Sequence, residues 1–261
     1  MNKALLDVIF ASGKRKNMLL MLNDGPAEIS SLLSNLETSR QALLPQAKIL
    51  EDNYLIVKNA DSYELTNIGK IIVDKMEPLL GTMDTLDNDM DYWGTHDLGF
   101  LPPSLLERIR DLQNCSIATP SMTDMFKLNS IQMDRSFASK SIFMISTLMH
   151  PEGKDLVSNL LNNGVNISMI ISEDLFQKMK MNEHDAFKCF LNESNIRFFV
   201  YSKPIGFINF SVNDYSVFFR LLTKFGEHDG KHLIADGQDA VDWGRELFEF
   251  YKQDSTEITE I

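Results

Sequence analysis

Arg40, Gln41, Leu44 and Lys48 recur at spacings of one, three and four residues, so a helix carrying them presents all four on one face. An arginine there has the fork geometry to pair with a guanine edge. Thr38 and Ser39 just before this set, and Ser62 beyond it, complete the expected base-side surface. Lys14, Arg15, Lys16 and Lys58 are the cations expected to neutralise phosphates. A second polar cluster, GEHDGKHLIADGQD, holds His228, Asp229, His232, Asp236 and Asp239, but Gly230 and Gly237 favour a solvated turn over a metal centre. No metal or cofactor is therefore expected. Cys115 and Cys189 lack CxxC spacing and read as reduced thiols. There is no G-x-G-x-x-G, Walker loop, G-x-S-x-G or H-E-x-x-H, so the common nucleotide, hydrolase and zinc-protease chemistries have no motif support and a non-enzyme is expected.

The elements that must position the first set can be read in order. GKRKNMLLMLNDGP forms a helix with Met18, Leu19 and Leu22 on one side, ending at Asp24-Gly25-Pro26. AEISSLLSNL forms a second, with Ile29, Leu32 and Leu33. A third starts near Ser39, where Thr38 and Gln41 have the spacing of a capping box. Leu43, Ala47 and Leu50 turn its other side to the core. Pro45 removes one hydrogen bond from this helix, and a kink is the expected response. Tyr54–Lys58 and Tyr63–Thr66, around Asn59-Ala60-Asp61-Ser62, read as a β-hairpin. Three helices followed by a hairpin is the order of a winged helix-turn-helix, with the third helix in the major groove.

Residues 83–110 are expected to form a helical connector that continues a helix from about Ile68 to Asp91. Its apolar positions, with those of a helix over Leu5–Ala11, suit either a homodimer interface or packing within the chain. Residues 111–261 alternate in type. Strands are predicted at Ser116–Thr119, Ser141–Leu148, Val165–Ser172 and Ile196–Tyr201. Helices are predicted up to about Ser139, over Lys154–Asn162 and over Asp174–Asn192. Gly206–Val212 and Tyr215–Thr223 read as an antiparallel hairpin, and a helix from about Asp239 to Lys252 closes the chain. The fold class is α/β: a winged helix-turn-helix over residues 1–82, then an α/β domain with a mixed sheet. A small-molecule effector would sit beyond the ends of the parallel strands, near Ser146, Ser172, Tyr201 and Lys203, with Arg197 and Arg220 available to an anion. The phenylalanines of these strands otherwise read as sheet core.

Charge refines the expected partner. The net charge is −12, yet residues 1–80 hold nine basic and ten acidic residues, so the acidity belongs almost wholly to the rest of the chain. A near-neutral reader grips random DNA weakly and depends on base contacts and on a second copy. With 44% hydrophobic residues and no long apolar run, a globular, cytoplasmic protein without a membrane partner is expected.

Thr38-Ser39-Arg40-Gln41-Ala42-Leu43-Leu44-Pro45-Gln46, then Lys48, Leu50 and Glu51, and the hairpin ending Tyr63-x-Leu65-Thr66-x-x-Gly69, resemble methanogen winged-helix regulators distantly related to the ArsR and MarR groups. Such regulators carry a similar proline in the third helix. Downstream, Trp93, His96-Asp97-Leu98, Pro102 and Leu105 resemble the entry to their C-terminal methanogenesis-filamentation regulator (FilR-type) domain. The segment Ala240-Val241-Asp242-Trp243-Gly244-Arg245-Glu246-Leu247-Phe248-Glu249-Phe250-Tyr251 resembles its end. The resemblance implies a transcriptional regulator that binds double-stranded DNA. An enzyme with an accessory winged helix and a ligand-free interaction module are the competing readings.

Overall fold

The computed structural model describes residues 4–121 and 130–260. The chain divides into two units, Met1–Leu80 and Gly81–Ile261. The first begins with α1 (Leu5–Phe10) and α2 (Gly13–Met21), followed by a 3-10 turn at Leu22–Asp24. Next come β1 (Ala27–Glu28), α3 (Ile29–Asn35), α4 (Arg40–Asp52), β2 (Ile56–Asn59) and β3 (Ser62–Leu65). Met18 and Leu19 from α2, Leu32 from α3, and Leu43, Ala47 and Leu50 from α4 are wholly buried together. The 3.6-residue period of α4 thus spends one side on the core and leaves Arg40, Gln41 and Lys48 exposed on the other. β2 and β3 pair antiparallel, Ile56 opposite Leu65, and the short β1 adds to β3 to give the order β1-β3-β2. The wing therefore belongs to a three-stranded sheet.

One local expectation changes. Ser39, not Thr38, caps α4: its backbone is extended and its Oγ accepts from the Ala42 N–H at 3.3 Å. Pro45 does not end the helix, which runs on to Asp52 and keeps Arg40 and Gln41 in its first turn.

α5 (Asn67–Asp87) contains the boundary between the units. In the second unit follow α6 (Met90–Thr95), α7 (Pro103–Leu106), a 3-10 turn at Ile109–Leu112 and β4 (Cys115–Ala118). α8 (Ser130–Ala138), β5 (Ser141–Ser146), α9 (Gly153–Asn162) and β6 (Asn166–Ser172) come next. The start of the helix expected before Ser139 lies outside the described residues. The single helix expected over Asp174–Asn192 is two, α10 (Glu173–Asn182) and α11 (His184–Leu191). Then come β7 (Ile196–Tyr201), β8 (Phe207–Val212), β9 (Ser216–Leu221), β10 (His232–Asp236), α12 (Gln238–Gln253) and β11 (Ser255–Ile258).

These eight strands form one mixed sheet, β11-β7-β6-β5-β8-β9-β10-β4, parallel only across β5, β6 and β7. Both faces are covered, so successive residues of one strand enter different cores. Phe199 packs in the core shared with α12, while Phe198 packs in the core shared with α9 and α11. The stretch expected as a connector supplies Tyr92, Trp93, Leu101, Leu105 and Ile109 to the α12-side core. Trp243 Nε1 donates to the Leu105 carbonyl at 2.9 Å, which joins the two ends of the downstream sequence resemblance.

Candidate nucleic-acid interface and effector cavity

On the winged helix, Arg40, Gln41 and Lys48 are exposed along α4, while Leu44 is half-buried between them and the core. Ser39 is exposed but its hydroxyl is engaged as the cap, and Thr38 is half-buried. Lys48 lies 3.1 Å from Asp52 and 4.0 Å from Glu51. The bond to Asp52, and then the two carboxylate charges, raise its pKa. The Lys48 charge is thus partly offset by carboxylates of its own helix. Lys58 is exposed on β2, and Ser62 Oγ donates to the Asn59 carbonyl at 3.0 Å, bracing the wing turn. Lys14 and Lys16 are half-buried on α2.

Arg15 is a correction. It is 8% exposed, its Nε donates to the Val8 carbonyl and its Nη1 donates to Gln46 Oε1 at 2.6 Å. A guanidinium tying α1 and α2 to α4 is a structural tie and is not free for phosphate.

The second unit contains a cavity of about 330 Å³ between the sheet and the helices α8 to α11. That is within the size of small-molecule sites. Its wall is mostly apolar, with Met144, Met169, Leu175, Met179, Phe187 and Phe198 among its residues. Its polar part comes from the sheet. Ser146 on β5 stands opposite Asn209 on β8, and Asn209 opposite Arg220 on β9, so the three share one rung. Arg220 is 6% exposed; its Nε has no hydrogen-bond partner, and the same holds for Asn209 Oδ1. Phe218 lies beneath the guanidinium at 5.6 Å. Burial lowers the Arg220 pKa, and it holds the neighbouring His232 imidazole below its usual range together with the Arg220 charge.

Of the six residues expected to meet an effector, the structure brings Ser146 and Arg220 together at this cavity and places four elsewhere. Ser172 caps α10, its Oγ accepting from Leu175 N–H at 3.3 Å. Tyr201 packs on Tyr251 in the α12-side core. Arg197 on β7 pairs with Glu257 on the edge strand β11 at 2.7 Å, and Lys203 pairs with Asp254 at 2.7 Å. The cavity lies against a sheet face and reaches past the end of β5, where Ser146, His150 and Pro151 line it, while the residues chosen at the ends of β6 and β7 are engaged elsewhere. Asn209 and Ser211 had a usable signal, since they are polar positions alternating with Phe210 and Val212 on a strand buried on both sides. The former metal candidates also separate: His232 stacks near Phe218 at 5.2 Å, while Asp236 pairs with Arg135. Among the described residues no three His, Cys, Asp or Glu side chains are grouped to hold a metal ion, and no helix is long and apolar enough to cross a membrane.

A winged helix joined to an α/β unit that carries a partly open cavity gives a two-part architecture. The chain belongs to the methanogenesis regulatory protein FilR1 family. Residues 3–84 match its N-terminal domain and residues 125–254 its middle domain. It is 27% identical over 267 residues to methanogenesis regulatory protein FilR1 of Methanothrix harundinacea (strain 6Ac); the match covers 97% of this chain and 58% of that one. The chain thus spans little more than half the length of that relative. Both matching domains are those of a regulatory protein, in keeping with a non-enzyme. Among solved structures, the archaeal chromatin protein TrmBL2 aligns over 97% of both chains at 13% identity and a TM-score of 0.44. The phospholipase D family member Nuc of Salmonella typhimurium aligns over 56% of this chain and 99% of its own at 15% identity and a TM-score of 0.39. Those similarities are too slight to bear on function.

Proposed function

We propose that this chain is a sequence-specific DNA-binding transcriptional regulator, acting as a homodimer, whose α/β unit binds a small-molecule effector. The observation that carries the reading is α4: a capped helix on a winged-helix core, with Arg40 and Gln41 exposed in its first turn beside Leu44 and Lys48. In helix-turn-helix readers, residues near the start of the third helix meet base edges. Lys14, Lys16 and Lys58 remain as phosphate contacts. Leu6 on α1, and Ile68, Ile71 and Leu79 on α5, are exposed apolar side chains that support pairing with a second copy.

Selecting bound duplexes from a random pool, and sedimenting the chain with and without the winner, tests both parts. One enriched motif with two half-sites about one helical turn apart, bound by two chains, is the expected result. Recovery of no enriched sequence would remove the reader assignment. A monomer both free and on the selected duplex would remove the homodimer.

A further inference from the structure

The least compensated group in the second unit is Arg220. An arginine cannot shed its proton to escape burial, and an unpaired buried charge is costly. Yet Arg220 is 6% exposed, its Nε has no partner, and no carboxylate among the described residues lies near enough to offset it. Asn209 beside it also has an unpartnered Oδ1. Both line the 330 Å³ cavity, whose other wall is built of Met144, Met169, Leu175 and Phe187. One end of the space asks for an anion with two acceptor oxygens; the rest asks for hydrocarbon.

We infer that the cavity binds an amphipathic monocarboxylate, with its carboxylate accepting from the Arg220 guanidinium and its apolar body among the methionines beneath α9 to α11. A carboxylate matches the guanidinium fork with two parallel hydrogen bonds, which a neutral head group cannot reproduce. At roughly 30 Å³ for each water-sized group, the cavity takes about ten non-hydrogen groups, the size of a medium-chain acid. Methionine walls adapt to a flexible chain without a fixed shape. Carboxylate recognition is a property of the cavity alone; that its occupancy reports to DNA rests on the function proposed above.

The test titrates octanoate and octanol, each below its aggregation limit, into the full chain, followed by calorimetry and by the melting temperature. Octanoate is expected to bind one to one and at least tenfold more tightly than octanol. Arg220→Met should abolish that preference while retaining octanol binding, and Arg220→Lys should recover only part of it. Because Arg220→Met removes a costly buried charge, it should also melt no lower than the parent. If that variant fails to fold, Met179→Trp, which fills the space but leaves Arg220, should remove octanoate binding instead. Equal affinity for the acid and the alcohol, no binding of either, or octanoate binding indifferent to these substitutions would overturn the assignment. Octyl phosphate binding more tightly than octanoate would overturn the carboxylate in favour of a phosphate head. Measuring affinity for the selected duplex with and without octanoate separates the two proposals. Arg220-dependent octanoate binding that leaves DNA affinity unchanged upholds the ligand and sinks its role as effector.

Discussion

Three cations of similar type have three different fates. Arg40 is exposed on the outer face of α4 and, among the described residues, has no ion pair to release before meeting a base. Arg40→Ala should cost about 1–3 kcal/mol on the selected duplex and relax discrimination at one base pair. An equal loss on every duplex would reassign it to phosphate. Arg15, counted among the same positive charges, instead holds the Val8 carbonyl and Gln46. Arg15→Ala should lower the unfolding midpoint of the first unit by the equivalent of roughly 2 kcal/mol and leave the salt slope of DNA binding unchanged. A flatter slope with unaltered stability would show that it faces phosphate after all. Arg220 acts through His232. Burial first, and then the Arg220 charge, hold that imidazole below its usual 6.5, with a backbone hydrogen bond at Gly230 opposing them. A base with a depressed folded pKa is protonated first in the unfolded chain. Its contribution to stability is therefore complete above about pH 6.5 and lost as the pH falls through the lower folded value. Urea midpoints of the parent should drop across that window more steeply than those of His232→Gln; parallel curves would contradict the assignment.

At the scale of elements, the wing ending shows why its spacing matters. Thr66 Oγ1 donates to the Tyr54 carbonyl at 2.6 Å and accepts from the Gly69 N–H at 3.0 Å, so one hydroxyl both closes the wing and starts α5. A Cβ on Gly69 would stand 2.0 Å from the Leu55 carbonyl oxygen. Gly69→Ala should accordingly destabilise the first unit by roughly 3 kcal/mol, seen as an early melting transition, because the obstruction is backbone and cannot rotate away. A melting curve identical to that of the parent would show that α5 can shift off the wing. The spacing of Tyr63, Leu65, Thr66 and Gly69 was visible in the sequence, as were α2, α3, α4 and the hairpin. The cap was displaced by one residue because Thr38 and Ser39 are both good caps, and only the backbone angles choose between them. β10 was hidden because its buried Leu233, Ile234 and Ala235 are flanked by polar turn-formers, so the segment reads as a loop until β9 and β4 are seen on either side.

For the whole molecule, the charge division governs how DNA should be bound. With Arg15 withdrawn, Lys14, Lys16 and Lys58 are the phosphate contacts proposed for each copy of a near-neutral reader. Six such contacts in a dimer give a log–log salt slope of about −5 for the selected duplex. A slope near twice that would demand a basic surface that these residues do not supply, and a slope of half would fit a single module. The acidic second unit adds no attraction for DNA, so the proposed reading leaves specificity to α4 and to pairing of copies.

The sequence by itself determined the winged helix, the alternating α/β order, the segregation of charge and the family resemblance, because periodicity, capping spacing and turn chemistry are local properties of the chain. Tertiary structure alone decided the candidate site. Ser146, Asn209 and Arg220 come from three strands and meet only through sheet register, while the ends of β6 and β7, which seemed an equally natural place for a ligand, are occupied by a helix cap, a packed tyrosine and a surface ion pair. Whether an arginine is a DNA contact, a strut or a buried anchor depends on which partners lie within about 3 Å of it, and that is fixed by contacts distant in sequence.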